Sequence, residues 1–300
     1  MPFRALGLSF CLLAVGACAS RPLAPKPSAP TKRAAVTLTY LGVAGWEVDD
    51  DGHALLIDPY FSRVDVADES APLVPDAAAI ARYAPKHADV ILVEHSHYDH
   101  LLDVPTLALA TGALVLGTES TLNVARAEKV PEAQLALARP GDTFERAPFS
   151  IVVKAGLHSL IGKPSTNIPR DVTMPMSASG YAEGGTLHYL VRADGRSILF
   201  ISSANFIESE LAGLKPDVAV VAVSLRQKIP DYTCRLMRAL GKPPLVLTNH
   251  FDAHWQPLGP KQVDIDDQAR AGLAVFRAEV HTCAPETRVE IPIHFAPISI

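Results

Sequence analysis

Six residues, His95-Ser96-His97-Tyr98-Asp99-His100, bring three imidazoles and a carboxylate together just past the apolar run Val90-Ile91-Leu92-Val93. A short uninterrupted apolar run of this kind reads as a buried strand. The chain must therefore fold so that a strand end opens into a loop and aims several donors at one point. His and Asp supply the nitrogen and oxygen ligands that a borderline cation such as Zn²⁺ takes. The cluster reads as a metal site of the catalytic kind.

With 300 residues, 48% of them hydrophobic, the chain can bury a substantial core. The N-terminus carries one apolar stretch, 6–15, behind the lone Arg4. It is too short to span a bilayer and resembles the core of an export signal. Val15-Gly16-Ala17-Cys18 has the small residues before a cysteine that mark a bacterial lipobox, so residues 1–17 are expected to be a signal peptide and Cys18 to be lipidated. Ordinary cleavage after Ala17 or Ala19 is the other reading. Residues 18–35 then form a tether with four prolines, a semi-extended spacer. The expected location is the cell envelope, and Ala19 and Ser20 in place of Asp after Cys18 point to the outer membrane of a Gram-negative host. Cys234 and Cys283 remain in the exported part, either as a disulfide or as two free thiols. A net charge of −5 without a basic run argues against a nucleic-acid partner.

From residue 36 to 300 no second linker interrupts the pattern, so one domain is expected there. Strands are predicted over 36–41, 46–48, 54–57, 90–93 and 113–116, with helices over 76–83 and 120–129 and a short one near Leu107. Strands 150–155, 186–191 and 197–201 follow, the last two joined by Ala193-Asp194-Gly195-Arg196 as a hairpin. Helices over 208–214 and 233–240 then alternate with strands 218–223 and 245–247. Hairpins first and alternation later suggest an α/β fold of two packed sheets with helices outside.

The histidine cluster after its strand resembles the metallo-β-lactamase superfamily. So do Leu56-Ile57-Asp58-Pro59, Gly184-Gly185-Thr186 before a strand, and Thr248-Asn249-His250-Phe251-Asp252. The resemblance runs over 36–257 and implies an αββα sandwich. It also implies two metal pockets: His95, His97 and His158 in the first, Asp99, His100 and His250 in the second. A zinc-bound hydroxide would then attack an ester, lactone or phosphodiester, with Asp99 both ligating and orienting it. Asp58 is assigned to support of a ligand histidine or, equally, to a turn before Pro59. Glu94 is either a similar acceptor or a surface residue. Tyr98 is expected to pack. His254 and Trp255 are placed at the pocket mouth or on the open surface, and His53, His87, His188, His281 and His294 are read as structural.

One departure from the family stands out. Where many of its hydrolases carry an acidic residue bridging the metals, Ser203 follows the strand ending at Ile201. Two metals with three ligands each, or a weakened second site, are the open alternatives, and zinc, manganese and iron all suit the mixed donor set. Wording around the motifs resembles the branch of sugar-phosphate lactonases and N-acyl-phosphatidylethanolamine phospholipases D. The loop over 159–183, with Lys163, Met174 and Met176, is expected to cover the site, either as a flap suited to a lipid-like substrate or as a plain polar loop. The reading is a membrane-tethered metallo-hydrolase of a small-molecule or lipid-like substrate. Its rivals are a β-lactam hydrolase and a non-catalytic surface lipoprotein.

Overall fold

The computed structural model describes residues 1–2, 35–162, 165–259 and 265–300. Cys18, the rest of the tether up to residue 34, and Lys163 lie outside the described residues. Contacts divide the chain into Met1–Arg33 and a compact unit, Ala34–Ile300. The second unit carries everything that follows. Among the described residues no helix is long and apolar enough to cross a membrane.

The first sheet contains β1 (Thr37–Gly42), β2 (Gly45–Asp50), β3 (His53–Ile57), β4 (Val90–Leu92), β5 (Leu114–Gly117) and β6 (Leu135–Leu137). The second contains β7 (Thr143–Arg146), β8 (Phe149–Ala155), β9 (Leu187–Ala193), β10 (Arg196–Ile201), β11 (Val218–Ala222), β12 (Leu245–Asn249) and β13 (Arg288–Glu290). A last strand, β14 (Pro297–Ser299), returns to pair with β1. Each sheet is antiparallel where tight turns join its strands and parallel where helices do, as in β3-β4-β5 and β10-β11-β12. Parallel neighbours need such crossovers, which place helices on the outer faces.

Side-chain alternation explains the layering. Leu55 and Ile57 on β3 and Val90 and Leu92 on β4 join Trp46, Val191 and Phe200 in the core between the sheets. Leu56 and Ile91, one residue out of phase, join Ile80, Leu107 and Val124 under the outer helices. Strands buried on both faces read as continuous apolar runs, as these do. The helices are α1 (Ala77–Tyr83), α2 (Tyr98–Leu101), α3 (Val104–Thr111), α4 (Glu119–Ala127), α5 (Glu208–Leu211), α6 (Tyr232–Ala239) and α7 (Asp267–Cys283). Asp76 caps α1 by accepting from the Ala78 and Ala79 N–H groups, and Asp266 caps α7 through Ala269 N–H.

Most sequence-predicted elements fall within a few residues of these, and the sandwich is as expected. Six elements were not anticipated: β6, β7, β13, β14, α2 and α7. Cys234 on α6 and Cys283 at the end of α7 form a disulfide, which decides between the two readings of that pair.

Candidate metal centre

The parallel strands of both sheets end at one edge of the sandwich, and each end delivers a polar residue. Asp58 follows β3, Glu94 to His100 follow β4, His158 follows β8, Ser202 and Ser203 follow β10, and His250 follows β12. They meet around a cavity of about 190 Å³, lined by all six predicted ligands and by Ser159, Ile161, Ser203, Leu225 and His254. The donor atoms fall into two triads, His95/His97/His158 and Asp99/His100/His250, with the atoms of each triad within 4.8 Å of one another. The triads abut, since the His95 and His100 rings lie 3.9 Å apart between centroids.

In the first triad, His95 Nε2 and His97 Nδ1 stand 3.0 Å apart. That is close to the edge of about 3.4 Å expected between two donors on one tetrahedral zinc. His158 Nδ1 lies 2.7 Å from the Ser159 carbonyl. Only a protonated Nδ1 makes that bond, so Nε2 is left with its lone pair. Burial, and then the crowd of neighbouring imidazoles, drives the His95 pKa well down and keeps its ring neutral.

In the second triad, Asp99 Oδ2 lies 3.3 Å from His250 Nε2 and 3.8 Å from His100 Nε2. Burial alone would raise the Asp99 pKa, but the His100 and His250 rings outweigh it and hold the carboxylate ionised. For His100 burial acts downward, and Asp58 with Asp99 reverses it. His250 takes a left-handed backbone, φ 51°, rare for a side chain other than glycine. Its N–H donates to the Val43 carbonyl at 2.7 Å.

Behind each triad sits a fully buried carboxylate. Asp58 Oδ2 is 3.0 Å from His100 Nδ1, and its Oδ1 accepts the Glu94 N–H at 2.8 Å. Asp58 also turns the chain with φ 43°, so one residue both shapes the turn and meets His100. Glu94 is buried rather than on the surface: Oε1 accepts from His188 Nδ1 and from Ser202 N–H, each at 2.7 Å. Its Oε2 faces His95 Nδ1 at 3.6 Å. Burial, with Asp58 nearby, raises the Glu94 pKa. A carboxylate on the far nitrogen of a ligand histidine fixes the tautomer that presents the other nitrogen to a metal.

Ser203 lies at the cavity wall as expected, but its hydroxyl is engaged. It accepts from Ser159 N–H at 2.9 Å and meets Ser159 Oγ at 3.1 Å. Asp99 is the sole carboxylate among the described residues that line the cavity.

Sequence reasoning missed one polar cluster. Asp252, two residues past His250, accepts from Tyr40 OH at 2.5 Å, Val43 N–H at 2.8 Å and Arg63 at 2.8 Å, and pairs with His294 at 3.0 Å. Burial opposes its ionisation, but His294 and Arg63 prevail and lower its pKa. This network locks the Val43 loop that holds His250, and its partners lie too far apart in sequence to be read as a unit.

The 159–183 loop behaves differently from either expectation. Its first residues, Ser159 and Ile161, line the cavity. Farther along, Ile168 and Met176 are buried in the core beneath the outer helices. The Ile168 N–H donates to Ser120 Oγ, its carbonyl accepts from Asn123, and the Met176 carbonyl accepts from Leu73 N–H. Met176 is thus a packing residue and not part of a flap over the site. Tyr98 packs against Tyr60, with ring centroids 6.2 Å apart. His254 lines the cavity, and Trp255 stands beside it, 53% exposed.

A family model described as a beta-lactamase superfamily domain matches residues 53–248. A UPF0173 metal-dependent hydrolase of Myxococcus xanthus is 31% identical over 137 residues, 45% of this chain and 44% of the relative. The chain thus spans less than half the length of the curated relatives it matches. Among solved structures, Igni18, a metallo hydrolase from Ignicoccus hospitalis, aligns with a TM-score of 0.57 at 17% identity, over 89% of this chain and all of that one. CmlA, a diiron beta-hydroxylase from Streptomyces venezuelae, gives 0.58 at 16% identity, over 89% of this chain and 54% of that one. At such identities the likeness bears on the fold alone. The family match covers most of the domain, and the chain belongs to the metallo-β-lactamase superfamily.

Proposed function

We propose that the two triads hold two divalent cations, zinc foremost, and that the chain is a metal-dependent hydrolase of ester, lactone or phosphodiester bonds. The observation that carries this reading is the convergence of six metal-type donors from three strand ends on one cavity. The residues fit the ions: donor spacings suit a first-row cation, and two buried carboxylates stand behind ligand histidines. Cations held there would activate water as a nucleophile at neutral pH and polarise the carbonyl or phosphoryl oxygen under attack.

The chain's own residues do the rest. Asp99 faces the cavity as an ionised acceptor and orients the attacking water through one of its hydrogens. Asp58, 3.0 Å from His100 Nδ1, favours the His100 tautomer that leaves Nε2 free, and Glu94 stands behind His95 at 3.6 Å. Ile161 and Leu225 wall the cavity and limit its hydration. Manganese or iron suits the same His/Asp donor set. Export and anchoring through a lipid on Cys18 would put this chemistry at the cell envelope, and Cys18→Ser would abolish incorporation of labelled palmitate.

A second reading has one observation in its favour. With Ser203 where a bridging carboxylate would stand, the second metal is held by three ligands and less anionic charge. Its loss would leave a weakened or non-catalytic protein. The deciding experiment loads the purified chain with zinc or manganese and offers an aryl phosphodiester, a lactone series, an aryl ester and nitrocefin. Turnover of any of the first three, lost in the His95→Ala/His97→Ala double variant, supports the hydrolase. Turnover of nitrocefin alone moves the assignment to β-lactams, and none with any metal leaves the non-catalytic reading.

A further inference from the structure

Beside the metal cavity, and sharing His250 and His254 with it, lies a concavity of about 580 Å³, some three times larger. Most of its exposed lining is apolar, with Leu225, Phe251 and Trp255 beside Ala269, Leu273 and Val275 of α7, while Gln227, Asp266 and Gln268 add polar groups away from the metal cavity. Trp255 and Val275 are 53% and 52% exposed. A contiguous apolar surface left open to water marks a binding region more often than an accident of folding. The charged side chains buried in this wall are already matched, Arg226 with Glu279 and Asp252 with Arg63.

Gly272 supplies a second, independent observation. It sits in the middle of α7 and on the wall of the groove, yet a Cβ built on it would meet nothing within 4 Å. Glycine inside a helix costs about 1 kcal/mol relative to alanine. Neither a close backbone approach nor a left-handed turn requires it here. Its effect is to keep the floor of the groove open.

We propose that this groove binds an alkyl or acyl limb of the substrate, with the scissile head group at the adjoining triads. The volume lies within the range of about 300–1,000 Å³ usual for small-molecule sites. The assignment rests on the hydrolase reading for the head group, and the groove itself is tested without turnover.

The probe is N-phenylnaphthylamine, whose fluorescence rises in an apolar site, added to the full chain in metal-loaded and metal-stripped form. It is displaced by butanol, hexanol, octanol and decanol in turn. The expected result is saturable binding in both forms, with displacement strengthening by up to about fourfold per added methylene. Gly272→Leu fills the floor while improving helix propensity, and Val275→Lys charges the rim at an exposed position. Each is expected to weaken probe binding at least tenfold. Leu109→Ser, at an exposed apolar position on α3, is expected to leave it unchanged. Equal binding in the parent and both groove variants overturns the proposal, as does displacement independent of chain length. Probe binding that falls as a dimer forms with rising protein concentration also overturns it, by assigning the groove to a second copy. Chain-length-dependent displacement in a protein that retains no metal would leave the groove standing and sink the hydrolase reading instead.

Discussion

Replacing Asp58 by Asn changes one buried atom and should disable one metal site. The Asp58 side chain is fully buried, with Oδ1 accepting the Glu94 N–H and Oδ2 facing His100 Nδ1 at 3.0 Å. In Asn the carbonyl oxygen stays with the Glu94 N–H, which needs an acceptor, so the amide nitrogen takes the place of Oδ2. It can only donate. His100 Nδ1 must then give up its proton and accept, which moves the ring proton to Nε2, the atom that faces Asp99. A protonated Nε2 does not bind a metal. Loss of such a supporting group typically costs 10–100-fold in metal affinity, which corresponds to about 1.4–2.7 kcal/mol. The fold should survive, because Asn tolerates the left-handed backbone at this position, φ 43°. Competitive chelator titration of the variant should show one site weakened by that factor and the first triad unchanged. The melting temperature of the metal-free protein should be close to that of the parent. Two sites of parental affinity in the folded variant would refute the tautomer argument.

Glu94→Gln applies the same logic to the first triad. Oε1 remains committed to His188 and Ser202, so the amide nitrogen would face His95; a weaker effect than at Asp58 is expected, given the 3.6 Å separation, and equal affinity in a chelator titration would remove Glu94 from the metal argument. Reducing the Cys234–Cys283 bond releases a closure across 49 residues, worth about 4 kcal/mol by chain entropy. Urea unfolding with and without a phosphine reductant should show that loss, and coincident transitions would contradict it. Asp103 is buried and its pKa is raised to about 6, chiefly by desolvation against the opposing bonds from Ser62 and Phe61. The native carboxyl therefore holds its proton more tightly than the unfolded one, so its contribution is fully present below about pH 4. Up to about 3 kcal/mol is lost as pH rises through 6. Asp103→Asn should flatten that part of the stability–pH curve, and an unchanged slope would refute it.

The histidine cluster and β4 could be read because donor types and an apolar run are local signals. The buried carboxylates were harder. Asp58 precedes a proline and looks like a turn residue, and it is one. Its second role depends on His100 approaching from a different loop. Glu94 lies between a buried strand and the ligands, and only the packing of β9 and β10 over it makes it a buried acceptor for His188 and Ser202. The Asp252 network joins Tyr40, Arg63 and His294 across 212, 189 and 42 residues, a distance no short pattern spans. Helix α7 was missed because only Leu273, Phe276 and Val280 of its 17 residues are buried, and Val275 breaks the stripe on the exposed side. The short edge strands β6, β7, β13 and β14 run to three or four residues each, below the length at which alternation can be recognised. Composition misled at 159–183, where Met174 and Met176 in a long loop suggested a flap and the contacts of Ile168 and Met176 decided otherwise.

The most direct test of the account is the number of metal ions bound per chain, measured by elemental analysis of the purified full-length protein after loading and exhaustive dialysis. Two per chain are expected, falling to about one both in Asp58→Asn and in the His95→Ala/His97→Ala double variant. A folded parent protein that retains no zinc, manganese or iron would contradict the assignment of the two triads as a metal centre.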